Sequence, residues 1–161
     1  MVRLLPMVAA IALLAVCASA VAASGGSAGA VRLRAVELAA EDPMTGGTFV
    51  IVENVGSKRV DLGCWRIVTR RAERVIRPPA LVPAGAGLRL LFARGEAGNP
   101  DRIRLISRAG QLVDMTPVLN DTKADDRLFG RTSRGWVLGR QPLPARVSDG
   151  RLSALGRSGC Q

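Results

Sequence analysis

With no histidine and no tyrosine, this 161-residue chain is restricted in the chemistry it can perform. Imidazole is the commonest general base and the commonest metal ligand, so its absence removes a Ser-His-Asp set, an imidazole-activated thiol and the usual zinc sites. The remaining candidates are carboxylates, thiols and the lysines Lys58 and Lys123, and none stands in a nucleophile, base or metal array. The segment Asn120 to Asp126 gathers oxygen ligands. It lacks the Gly and the closing Glu of an EF-hand loop and carries Lys123 at its centre, so a solvated turn is expected there rather than a calcium site. No Gly-rich phosphate loop follows a strand and opens a helix. No catalytic residue, metal or cofactor is expected, and the chain reads as non-enzymatic.

What the sequence does offer is arginine. Lys and Arg number 23 against 13 Asp and Glu, a formal charge of +10 supplied almost wholly by guanidinium groups, whose planar forks match phosphate and carboxylate. Between Lys58 and Arg77 the basic residues Lys58, Arg59, Arg66, Arg70, Arg71, Arg74 and Arg77 face only Asp61 and Glu73. Further on, Arg102 and Arg104 alternate with Ile103 and Leu105, a period of two that turns the arginines to solvent if the segment is a strand. Arg66, Arg70, Arg71, Arg74, Arg77, Arg102 and Arg104 are therefore the candidate contacts to a polyanion such as lipopolysaccharide, teichoic acid or nucleic acid. With two Trp and three Phe in the chain, base stacking is not favoured. The competing reading of the same charge is solubility of a small basic protein whose coding bias enriches Arg, Ala and Gly together.

The first residues address the compartment. Arg3, an apolar run from Met7 to Ala15 and a small-residue segment match a signal peptide over residues 1–23, with cleavage after Ala20 or, preferably, Ala23. The stretch is barely long enough to cross about 30 Å of hydrocarbon, so no stable membrane span is expected after cleavage. Leu14-Ala15-Val16-Cys17 is a poor lipobox because Val16 sits where a small residue is wanted. The mature chain is then expected to be secreted or periplasmic and to keep Cys64 and Cys160. Two cysteines in a small exported domain suggest a disulfide, worth about 4 to 5 kcal/mol for a loop of roughly 95 residues. The alternative is a buried Cys64 with a free or intermolecular Cys160.

The elements that must position these residues are short. Residues 24–30 read as a flexible leader. Strand-like runs follow at Val31 to Leu38, Thr48 to Glu53, Val60 to Thr69, Gly87 to Ala93, Arg102 to Ser107, Gln111 to Met115 and Trp136 to Leu138, separated by Gly, Pro and Asn turns. About seven such strands predict an all-β sandwich over residues 31–140. The tail, 141–161, with Pro142, Pro144 and several Gly and Ser residues, is expected to be irregular.

Several of these residues fall in a recognisable order. Asn54, Gly56, Val60-Asp61-Leu62 and Trp65 are followed by Leu81-Val82-Pro83-Ala84-Gly85, then by Asn99 to Asp114 with its Gly110 turn and Val113-Asp114 pair, and finally by Arg131 and Gly135-Trp136. This succession resembles the lamin tail domain. The resemblance implies an immunoglobulin-like β-sandwich with Asp61, Leu62, Trp65, Gly110, Asp114, Arg131 and Trp136 as its structural signature. Trp65 is expected in the core, Asp61 on backbone N–H groups of its turn, and Arg131 near Trp136 with Asp114 as candidate partner. Two departures stand out: Cys64 occupies a position where the family has Gly, and the closing Thr-Pro-Gly segment is missing. The implied function is a binding or structural module that contacts a protein or a cell-envelope component. A third possibility is an accessory subunit of a separate secreted hydrolase.

Overall fold

An isolated run of a few alternating apolar and polar residues buries its apolar face only by pairing edge to edge and stacking against another layer. The computed structural model describes residues 28–39, 47–123, 125, 127–139, 142–156 and 159–160. Among them the runs form strands and no α-helix: β1 (Val31–Glu37), β2 (Phe49–Asn54), β3 (Val60–Asp61), β4 (Arg66–Val68), β5 (Glu73–Ile76), β6 (Leu81–Val82), β7 (Gly87–Leu91), β8 (Arg104–Ile106), β9 (Leu112–Met115), β10 (Leu128–Thr132), β11 (Gly135–Gly139), β12 (Val147–Gly150) and β13 (Leu152–Ala154). The expected signal peptide with Cys17, leader residues 24–27, and Ala124 and Asp126 of the acidic loop lie outside the described residues. The end of the expected leader, Ala28–Ala30, forms a 3-10 turn.

One sheet runs β11-β10-β1-β2-β7-β12, a second runs β13-β5-β4-β8-β9, and β3 pairs with β6 apart from both. Only β7 and β12 run parallel. Leu33, Val36, Val50, Val52, Leu88 and Leu90 of the first sheet share one core with Ile67, Ile76 and Leu105 of the second and with Ile103 just before β8, a sandwich-like arrangement. A bulge between Leu33 and Ala35 shifts the inward alternation of β1 from Val31 and Leu33 to Val36 and Leu38.

The expected strand from Val60 to Thr69 is interrupted. Its start pairs with β6, its end joins the second sheet, and Leu62 to Trp65 form a turn between them. Asp61 makes that turn by accepting the amides of Gly63 (2.8 Å) and Ala80 (3.2 Å) on Oδ1. Trp65, 6% exposed, thus enters the core from a turn rather than from a strand. Cys64 has φ of 66°, the left-handed conformation that glycine adopts without strain, and this is the position at which the lamin tail resemblance expects Gly. Its sulfur is bonded to Cys160, with Cα atoms 5.5 Å apart and the two residues 96 positions apart in sequence. Such a bridge fits an oxidising compartment.

The described part of the expected irregular tail contains two strands. Residues 147–150 add β12 to the edge of the first sheet and residues 152–154 add β13 to the edge of the second. Edge strands that lean on backbone pairing need little apolar alternation, so Val147-Ser148-Asp149-Gly150 carried no strand signal. Gly150 is required by space: a Cβ there would lie 2.8 Å from Leu90 and 2.9 Å from Leu88.

Candidate anion-binding site

Several of the signature residues are committed to architecture. Asp114, on the edge strand β9, accepts Leu33 N–H of the opposite sheet (2.8 Å) on one oxygen and Arg131 Nη2 (2.8 Å) on the other. Strand β10 pairs only with Ala35 and Val36 of β1, which leaves the Leu33 amide for this carboxylate. Arg131 lies over the Trp136 ring at 5.5 Å, so the expected partnership of Arg131, Asp114 and Trp136 is present and ties one sheet to the other. Gly110, φ 81°, makes the turn from β8 to β9, its amide donating to Ser107 O at 2.9 Å. Asn54 is fully buried, donating to Lys58 O (2.8 Å) and Val82 O (2.9 Å) while accepting the Gly56 amide (3.0 Å).

The seven candidate arginines divide. Arg66 is held by Glu73 at 2.5 Å and Arg74 by Glu96 at 2.6 Å. Arg77, exposed, stands at the far end of β5, its amide on Arg151 O at 2.8 Å. Arg71 lies on the exposed turn after β4, against Gly98. The remaining three, Arg70, Arg102 and Arg104, converge. All are exposed, and none has an ionic or side-chain hydrogen-bond partner among the described residues. With Thr69 and Met115 they line an open cleft of 260 Å³ on the outer face of the second sheet.

Their convergence has a local cause. Strand β4 pairs with β8 so that Val68 faces Arg104, and continuing that register two residues sets Arg70 beside Arg102. The fully buried Asp101 then fixes both main chains: its Oδ1 accepts the amides of Arg70 (2.9 Å) and Arg102 (2.7 Å), and its Oδ2 accepts that of Gly98 (2.5 Å). Thr69 shapes the turn, its Oγ1 accepting the amides of Arg71 (3.1 Å) and Ala72 (2.9 Å) and donating to Glu96 O (2.6 Å). Glu96 in turn accepts the Ala93 amide at 3.0 Å. Burial raises its pKa, but the hydrogen bonds from Arg74 and Ala93 and the charge of Arg74 outweigh that and hold it below the usual glutamate range.

Sequence reasoning missed Asp101 and Thr69 as organisers of the cleft. A signal was present: an Asp directly before an Arg-Ile-Arg-Leu alternation is a residue suited to accepting main-chain amides. Buried carboxylates with all their bonds on backbone N–H groups are fixed, so the guanidiniums above project from a rigid base. Three fork-shaped donors around an open hollow suit a phosphate, sulfate or carboxylate group. The segment read as a solvated turn rather than a calcium loop spends Asp125 on Arg127 at 2.6 Å and Asp121 Oδ1 on the Lys123 amide at 3.1 Å.

No helix among the described residues is long and apolar enough to cross a membrane. No protein-family model matches the chain, and no curated protein matches it either.

Proposed function

We propose that this chain is a non-enzymatic, exported binding module, secreted or periplasmic, that captures polyanions through Arg70, Arg102 and Arg104. In this reading the sandwich is immunoglobulin-like and related in plan to the lamin tail domain, and its partner belongs to the cell envelope. The observation that carries it is the convergence of three exposed arginines without acidic partners on one cleft, while Arg66, Arg74 and Arg131 are each neutralised by a carboxylate.

The test is a titration of the purified protein with inorganic polyphosphate across a salt series. Binding should weaken steeply with salt, and Arg102→Gln combined with Arg104→Gln should remove most of it, with far-UV spectra unchanged. Affinity unaffected by that double substitution would overturn the assignment. Recovery of a single envelope protein that resists high salt would instead support the reading as a protein-interaction module.

A further inference from the structure

The face that holds the cleft also holds an exposed apolar stripe. A register shift between Leu105 and Ile106 leaves Val113 as the extra residue in β9, so Leu112 and Met115, three apart in sequence, pair with Ile106 and Arg104 on the same outer face. Beyond β9 the chain pairs Thr116 with Ile103 and then Leu119 with Asp101, so Pro117 and Val118 together lie alongside Arg102. Leu112, Met115 and Val118 are 56%, 40% and 57% exposed. They line the edge of the sheet, Arg102 and Arg104 stand in the adjacent column, and Arg70 stands behind Arg102. At about 3.3 Å per residue along a strand the stripe is roughly 13 Å or more in length.

We propose that this face docks on an anionic lipid surface, the three guanidiniums taking lipid phosphates while Leu112, Met115 and Val118 enter the interfacial layer. The proposal rests on the anion-binding reading of the cleft and narrows its ligand to an amphiphile. A soluble polyanion would meet the arginines but leave the aliphatic stripe in water. The face has no aromatic side chain on which bases would stack, since the cleft and stripe are built from Thr, Arg, Leu, Met and Val. A second copy of the chain pairing along the β9 edge would bring two sets of unpaired arginines together. Only a layer that is anionic outside and apolar beneath complements both features at once.

The experiment uses the protein in its naturally processed form and three probes: vesicles of phosphatidylcholine, vesicles of phosphatidylcholine with phosphatidylglycerol, and soluble polyphosphate. Flotation with the phosphatidylglycerol vesicles and not with phosphatidylcholine alone is expected. Replacing the stripe (Leu112→Ser, Met115→Ser, Val118→Ser) should lower vesicle partitioning at least about tenfold while leaving polyphosphate affinity unchanged. Arg102→Gln and Arg104→Gln should lower both, each by about fivefold. As a reporter that needs no loss of function, Leu112→Trp should show a blue-shifted emission on adding the anionic vesicles. Undiminished partitioning of the serine variant, or no shift from the Leu112→Trp reporter, would overturn the lipid proposal and leave the anion site standing. Failure of the unsubstituted protein to bind polyphosphate would remove the anion site itself.

Discussion

The outer faces of the two sheets differ in how their arginines are partnered. On the six-stranded sheet the chain covers part of its own face and pairs its arginines there, while Leu91, Val137 and Val147 stay exposed. Ile51 is only 1% exposed, Pro144 packs within reach of Gly87, Arg34 donates to Pro142 O at 2.7 Å, and Arg89 lies 5.9 Å from the Phe49 ring centroid while holding Asp149 at 2.7 Å. On the five-stranded sheet the corresponding surface stays open, with unpaired arginines and exposed aliphatics side by side. Both faces use Arg between apolar residues at period two. The difference is the supply of partners: the tail brings Asp149 and backbone carbonyls to one face and brings none to Arg70, Arg102 and Arg104. Charge counted along a sequence therefore says less about binding than which charges the fold leaves unmatched.

This contrast can be broken at several points, beginning with the tail. Cys64→Ala together with Cys160→Ala should lower unfolding stability by about 4 kcal/mol in a urea titration while polyphosphate binding is retained, because the cleft lies on elements that the bridge does not touch. Loss of both would show that the open face depends on the partly covered one.

Asp101→Ala acts on the open face alone. Three amides lose their acceptor, and the expected cost is about 3 kcal/mol. Simple electrostatics predicts tighter anion binding once a negative charge is removed from beneath the arginines. The geometry predicts weaker binding, because Arg70 and Arg102 lose the anchor that sets their spacing. The sign of the affinity change, read by calorimetry with polyphosphate, decides between them.

Gly150→Val tests the partial cover in isolation. The added side chain would collide with Leu88 and Leu90, and a loss of about 1 to 3 kcal/mol is expected, read from the thermal midpoint, with faster amide exchange confined to β12 and its partner β7.

Smallest is the response to acid. Glu96, on which Arg74 closes, is held below its ordinary pKa, and so is Asp149, mainly through its hydrogen bond from Arg89. A carboxyl whose folded pKa is depressed contributes stability that is full above its unfolded pKa, about 4.3 for Glu and 3.9 for Asp, and is lost as the pH falls through the folded value. Each pair should account for less than about 1 kcal/mol, with Glu96 the larger because its side chain is 17% exposed against 63% for Asp149. Glu96→Gln should flatten the acid limb of a stability-versus-pH curve more than Asp149→Asn does.

The parts of this architecture that were legible in the sequence are those written locally. All seven expected strand runs contain or overlap an observed strand, because each combines β-branched or aromatic residues with a turn signal at both ends. Asp61, Asp114, Arg131 and Trp136 were placed correctly by pattern and order. What could not be read was set by partners distant in the chain. Strand β5, Glu-Arg-Val-Ile, is polar at its start because Arg74 and Glu73 answer Glu96 and Arg66. Strand β12 has almost no apolar content because it leans on the backbone of β7. The arginine candidates were undifferentiated in the sequence: separating Arg70, Arg102 and Arg104 from Arg66 and Arg74 requires knowing where Glu73 and Glu96 come to rest.

The placement of residues 147–154 also bears on how the protein is made. Strand β12 joins β7, completed sixty residues earlier in synthesis by the Gly87 to Val147 pairing, and β13 joins β5, a still earlier product. Until that segment emerges, β7 and β5 present bare edges to anything nearby, and Cys64 has no mate in the domain. A nascent or prematurely terminated chain ending before Val147 would carry the arginine cleft intact beside two unpaired edges, a combination prone to strand-to-strand association. The finished tail is in this sense a cover for the assembly's own growing edges, supplied only when the rest of the domain is already in place.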